Sequence, residues 1–192
     1  MKKENWYHLI YDVLRPIGAL IYPQKFVGRE NIPEGPAIFC APHSNIADPI
    51  LISFALRRKT YVHHLAKIES RKIFIFGWLM QKAGSIFVRR GESDIESYKQ
   101  CLRVLKAGEK LIVFPEGTRV HGDRVVEPKS GVIHMAVRTH VPIVPVYIPR
   151  DKKLFRKVPT VIGEPYYPEY TGHGDYDRLA KELMDRIWAL KE

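Results

Sequence analysis

A chain of 192 residues with 45% hydrophobic and 27% charged residues has the size and composition of one globular domain with a sizeable core, not of a low-complexity chain. Its 31 Lys and Arg against 21 Asp and Glu give a formal charge of +10 and an isoelectric point near 9.6, which asks for an anionic partner: nucleic acid, a membrane surface or a phosphorylated substrate. Cys40 and Cys101 form no disulfide framework and fit a reduced, cytosolic compartment, and no apolar run approaches the roughly 18 residues a membrane-spanning helix needs.

In chain order, Trp6, Leu9, Ile10, Val13, Leu14, Ile17 and Ile21 recur at three- and four-residue steps and predict an amphipathic helix over residues 5–22, which Pro16 should kink or divide. Met1-Lys2-Lys3 imitates the basic end of a signal peptide, but His8, Asp12, Arg15 and the lack of a small-residue cleavage site argue against one. Trp6, Tyr7, Tyr11, Tyr22, Lys2, Lys3 and Arg15 flank the apolar stripe. Two readings of that face stay open: it lies at a membrane interface, or it packs on the domain's own core. Residues 1–24 are therefore treated as an N-terminal segment, with the main domain over 25–192.

Phe26-Val27-Gly28 begins the sheet, residues 31–36 carry turn chemistry, and Ala37–Ala41 reads as a buried strand. A helix to about Leu56 and a strand over Thr60–Leu65 follow. His63-His64 does not read as a metal site, because adjacent strand residues face opposite sides and no further ligand stands at suitable spacing. Ile73–Lys82 is an apolar helix and Gly84–Val88 a short strand. Ser93 and Glu96 form a capping box for a helix burying Ile95, Tyr98, Leu102 and Leu105. Lys110–Phe114 is a strand and Val132–His140 a helix. Val141–Ile148, with two prolines, suggests a short or edge strand; Thr160–Tyr167 suggests the last one. Asp175–Leu190 is an amphipathic terminal helix. Strands alternating with helices imply an α/β fold: a single domain with a mixed, mostly parallel sheet flanked by helices and preceded by the amphipathic helix.

The chemistry gathers at strand ends. Cys40-Ala-Pro-His43-Ser-Asn-Ile-Ala-Asp48-Pro49 joins the central strand to its helix. His43 can take a proton near neutral pH, and a carboxylate beside it would hold its tautomer. Five helical residues rotate about 140°, so the pair can meet only across an irregular turn. Pro49 favours one by pushing Asp48 out of the α region. Asp48-Pro49 also reads as N-cap and N1, and capping alone is the bland account of Asp48. Arg90 ends another strand, and Glu116-Gly117-Thr118-Arg119 follows a third. If these strands are parallel neighbours, a base, a carboxylate and two arginines converge on a hydroxyl-bearing substrate with a phosphate.

Four blocks in order carry a resemblance: His43-x-x-x-x-Asp48, Gly84-Ser-Ile-Phe-Val-Arg-Arg90, Phe114-Pro-Glu-Gly-Thr-Arg119 and Val141-Pro-Ile-Val-Pro145. Together with Lys129 and Gly131 they make the chain resemble the glycerolphosphate and lysophosphatidic acid acyltransferase family, the bacterial 1-acyl-sn-glycerol-3-phosphate acyltransferase type, over about residues 25–165. Pro42 and Arg89 depart from that pattern, where Asn and an acid are common. The resemblance implies transfer of a fatty acyl group from coenzyme A or acyl carrier protein to the sn-2 hydroxyl of a lysophospholipid, giving phosphatidic acid; glycerol 3-phosphate or another lysolipid is the alternative acceptor. It implies His43 as base oriented by Asp48, with Arg90, Glu116, Gly117, Thr118, Arg119 and Lys129 binding substrate, and no metal or cofactor beyond the acyl donor. An acyl-cysteine route through Cys40 is conceivable on spacing, though a buried strand Cys is usually a small hydrophobe. The expected partners are the lysophospholipid, an anionic membrane surface and acyl carrier protein. Nucleic acid is not expected, because the basic residues lack interleaved stacking aromatics. The expected location is cytoplasmic and peripheral, at the inner face of the cell membrane.

Overall fold

The computed structural model describes residues 2–89, 94–122, 124–172 and 174–191. Seven strands form one sheet: β1 (Gln24–Val27), β2 (Ala37–Cys40), β3 (Val62–Lys67), β4 (Ile86–Val88), β5 (Lys110–Val113), β6 (Ile143–Tyr147) and β7 (Val158–Ile162). Their order is β1-β7-β6-β2-β5-β3-β4, and every pairing is parallel except β6 with β7. Six helices flank the sheet: α1 (Lys3–Ile21), α2 (Asp48–Ala55), α3 (Phe74–Lys82), α4 (Ile95–Lys106), α5 (Gly131–Thr139) and α6 (Asp175–Ala189). The α/β reading therefore holds.

The central strand β2 is buried at all four positions, as a continuous apolar run between two helical layers must be. Ile38 and Cys40 face the layer of α4, α5 and α6; Ala37 and Phe39 face the layer of α1 and α2. Burial of these apolar faces supplies the main driving force, at about 25 cal/mol per Å² removed from water.

Three expectations change. β6 is an interior strand, not an edge, despite Pro145. It pairs with β2 through Ile143–Pro145 and then with β7 through Val146–Tyr147, so the proline falls where the strand changes partners. The Pro145 carbonyl still accepts from Gly163 N at 2.8 Å. Pro16 does not divide α1, which runs through it unbroken. Asp48 is the first helical residue and not the N-cap, because its carboxylate turns back towards the preceding turn. Ser93, half of the expected capping box, lies outside the described residues. The N-cap of α4 is Asp94, which accepts from Ser97 N at 3.0 Å.

The face of α1 is shared between the two readings left open for it. Tyr7 is buried, with Ile10, Tyr11 and Leu14 packed against the core, whereas Leu9, Val13, Ile17 and Leu20 are exposed. The helix comes close to α2 at Gly18, where an added Cβ would sit 2.4 Å from the Phe54 ring. Among the described residues no helix is long and apolar enough to cross a membrane.

His63 and His64 face opposite sides, as strand neighbours must. His63 bonds the Gly84 carbonyl at 2.7 Å and contacts Glu109. His64 Nε2 meets Ser53 Oγ at 2.9 Å, and that hydroxyl donates to the Pro49 carbonyl. Burial, with His63 alongside, lowers the His64 pKa from 6.5 to about 4. The folded state thus keeps this imidazole neutral where the unfolded chain protonates it. Stability should be complete above about pH 6.5 and decline by about 1 kcal/mol per pH unit as pH falls towards 4. His64→Gln should flatten that slope in urea unfolding at pH 7, 6 and 5; equal slopes would remove His64 from the acid sensitivity.

Candidate active site

The turn after β2 is irregular because Asp48 organises it. Asp48 Oδ2 accepts from Ser44 N and Asn45 N, both at 2.7 Å, and meets His43 Nδ1 at 3.0 Å. The remaining oxygen, Oδ1, pairs with Lys152 Nζ at 2.7 Å. Burial alone would raise the Asp48 pKa. The His43 bond, the Lys152 ammonium and the Asn45 amide outweigh it and hold the carboxyl below its ordinary value. Three hydrogen-bond partners on Oδ2 and the Lys152 ammonium beside Oδ1 thus keep a fully buried carboxylate ionised.

His43 is held on three sides. Its ring stacks on Phe114 with centroids 4.2 Å apart, its amide donates to Glu116 Oε2 at 2.7 Å, and its carbonyl accepts from Val120 N at 2.7 Å. With Nδ1 facing Asp48, Nε2 has no hydrogen-bond partner among the described residues. An Nδ1–H tautomer donating to the carboxylate leaves the Nε2 lone pair available as a base.

The second key turn, after β5, lies beside the first because β2 and β5 are parallel neighbours with Cys40 opposite Val113. Glu116 is 2% exposed, and both its oxygens are committed: one to the His43 amide, the other to Arg150. The structure therefore makes Glu116 an internal strut between two turns instead of a group facing substrate. Gly117 takes φ +65°, a left-handed conformation that suits glycine, and its amide donates to the Phe114 carbonyl at 3.0 Å. Lys129 N donates to the Pro115 carbonyl at 2.7 Å, closing the loop on this turn. Thr118, Arg119 and the Lys129 side chain are exposed. Arg90 lies outside the described residues; the strand before it, β4, is at the sheet edge, separated from β2 by β5 and β3.

The sequence reading missed the segment after β6. Neither Arg150 nor Lys152 stood out in the sequence, yet the Lys152 side chain is fully buried. Lys152 Nζ also donates to Ser44 Oγ at 3.0 Å and to the Pro149 carbonyl, and Ser44 Oγ donates to the Arg150 carbonyl at 2.9 Å. Arg150 further donates to the carbonyls of Gly122 and Arg124 and stands over the Trp188 ring of α6 at 4.7 Å. The available signal was the polar segment Pro149-Arg-Asp-Lys152 directly after an apolar strand: if β6 runs parallel to β2, that segment must emerge at the same end of the sheet.

Cys40 is fully buried, and desolvation raises its thiol pKa, so the thiolate that a nucleophilic route needs is disfavoured. Among the described residues no group of three His, Cys, Asp or Glu side chains could hold a metal ion.

Residues 24–149 match the family model described as Acyltransferase. The chain is 25% identical over 198 residues to a 1-acyl-sn-glycerol-3-phosphate acyltransferase of Pseudomonas aeruginosa, covering 97% of this chain and 73% of that one. It is 27% identical over 150 residues to the chloroplastic 1-acyl-sn-glycerol-3-phosphate acyltransferase BAT2 of Brassica napus, covering 75% of this chain and 42% of that one. A crystal structure of a 1-acyl-sn-glycerophosphate (LPA) acyltransferase from Thermotoga maritima superposes with a TM-score of 0.73 at 26% identity, covering 98% of this chain and 77% of that one. The chain spans only 39–42% of the length of the first plant and algal relatives it matches.

Removing the strut tests its burial. Glu116→Ala leaves the Arg150 guanidinium and the His43 amide without their acceptor and should cost about 3 kcal/mol in urea unfolding. Glu116→Gln, which keeps one acceptor oxygen, should cost less. A loss under about 0.5 kcal/mol for the alanine variant would show that the strut carries no load.

Proposed function

Since the chain belongs to the acyltransferase family, we propose that it moves a fatty acyl group from a thioester donor, coenzyme A or acyl carrier protein, to the sn-2 hydroxyl of 1-acyl-glycerol-3-phosphate, giving phosphatidic acid. The observation that carries this reading is the buried His43–Asp48 pair, with Nδ1 engaged at 3.0 Å and Nε2 left for substrate. The acceptor hydroxyl gives its proton to Nε2 as its oxygen attacks the thioester carbonyl. Asp48 stabilises the imidazolium that forms. The tetrahedral intermediate collapses, the C–S bond breaks, and the imidazolium proton passes to the departing thiolate. Arg119, on the loop tied to His43 through Val120, holds the acceptor phosphate together with Arg90. Glu116 shapes this pocket from behind, through the His43 amide.

Exposed apolar groups suit an amphiphilic acceptor delivered from a lipid surface. Val13, Ile17 and Leu20 of α1 are joined to exposed Leu154 and Phe155 by the bond from Phe155 N to the Ile21 carbonyl at 2.7 Å. Lys153, Arg156 and Lys157 flank them, which fits an anionic membrane and a peripheral place at the inner face of the cell membrane.

The direct test follows thiol release from palmitoyl-coenzyme A with lysophosphatidic acid. Release should depend on the acceptor and fall by about 10²–10⁴-fold in a folded His43→Ala variant. Cys40→Ala should turn over normally. An active His43→Ala would remove the base assignment. Silence with coenzyme A thioesters would move the donor to acyl carrier protein, and silence with both would reject lysophosphatidic acid as acceptor. In co-sedimentation at 150 mM salt, the protein should pellet with phosphatidylglycerol vesicles, and Leu20→Ser with Phe155→Ser should weaken that binding several-fold. Equal binding by this double variant would place the lipid contact elsewhere.

A further inference from the structure

We infer that Lys152 is a positioning and charge-balancing residue for the general base: it locks the Asp48 carboxylate in one orientation and offsets its charge, so that His43 stays available to accept a proton. The inference rests on the reading of His43 as the base and deepens it.

The geometry is specific. Lys152 is a cation whose side chain is fully buried, an environment that lysine avoids unless a partner meets its charge. That partner is Asp48 Oδ1, the one oxygen not used by the turn and the imidazole. The other donors on Asp48 are amides and the His43 ring, so none of them carries a permanent charge. Ser44 N and Asn45 N hold Oδ2 towards His43, and with Oδ1 against the Lys152 ammonium at 2.7 Å the carboxylate cannot rotate without also breaking an ion pair.

Charge balance decides the chemistry. The ionised groups that face His43 are Asp48 from the start of α2, Glu116 from the turn after β5, and Arg150 and Lys152 from the segment after β6. They form two carboxylate–cation pairs with no net charge. Glu116 touches His43 only at its amide and is paired with Arg150. Asp48 touches the ring itself, and an unbalanced carboxylate there would favour the imidazolium over the free base. With Lys152 opposite, the carboxylate orients the ring and stabilises the developing charge without trapping the proton.

The test uses ¹⁵N-edited NMR titration of the His43 ring in the full chain, which needs neither donor nor acceptor, alongside kinetics of the proposed reaction. Lys152→Gln keeps a hydrogen-bond donor but loses the charge, Lys152→Arg keeps the charge, and Lys152→Met removes both. The His43 midpoint should move up by about one pH unit in Lys152→Gln and Lys152→Met and stay near wild type in Lys152→Arg. The acidic limb of kcat should shift by the same amount. Well below the midpoint kcat should fall about tenfold in Lys152→Gln, with KM for both substrates little changed, and the loss should shrink at pH 7 and vanish at higher pH. An unmoved His43 midpoint in folded Lys152→Gln would overturn the inference, as would a kcat loss equal at every pH, which a purely structural role would give. If Lys152→Met fails to fold, Lys152→Gln decides the matter. If no acyl transfer is found with any donor, the NMR midpoint still reads the Lys152–Asp48–His43 coupling, so failure of the reaction and failure of this inference are distinguishable.

Discussion

A carboxylate with no exposure to water must be surrounded by donors or give up its charge, and the active end of this molecule is arranged around that constraint. Asp48 meets it with two amides of its own turn, the His43 ring and the Lys152 ammonium. Each donor comes with a structural consequence. The amides bend residues 43–48 into a turn that no helix would form. The imidazole is held in one tautomer. The ammonium brings the segment after β6 down onto the turn after β2. Loss of the charge at Asp48 would release all three together.

The sheet makes this convergence possible. β5, β2 and β6 lie side by side and run the same way, so their C-terminal ends deliver Glu116, His43 and the Arg150–Lys152 segment to one place. The result is two buried ion pairs in series, Glu116 with Arg150 and Asp48 with Lys152, joined through His43 and Ser44. Such pairs cost desolvation and are weak evidence for stability. Their value here is orientation: they fix the backbone and ring of His43, which also stacks on Phe114.

The outer face of α1 follows a different logic. A helix that packs Tyr7 and leaves Val13, Ile17 and Leu20 in water is half committed to the fold. The end of α1 is tied by a backbone bond from Phe155 N to the Ile21 carbonyl to exposed Leu154 and Phe155, which belong to the same segment that carries Lys152. Exposed Leu154 and Phe155 thus stand two and three positions beyond the buried Lys152 in the chain.

Much of this was legible in the residues. Buried apolar runs placed most strands and three- and four-residue spacing placed the helices, but Pro49 did not push Asp48 out of the helix: Asp48 opens α2, and the bonds of its own carboxylate make the turn irregular. Local signals determined these, because each depends on side chains a few positions apart. Partner choice was not local. Pro145 argued for an edge strand, and only the handover from β2 to β7 shows how an interior strand tolerates it. Glu116 read as a substrate-binding residue, and nothing local singled out Arg150 or Lys152. Their burial was decided by which strands lie adjacent in the sheet. By itself the sequence determined the α/β alternation that brings His43 and Asp48 to a strand end. Only the tertiary structure decided which cations neutralise the two buried carboxylates, since a charge is surface or core according to what packs over it, and the partners lie 34 positions away for Glu116 and, at Lys152, far along the chain from Asp48.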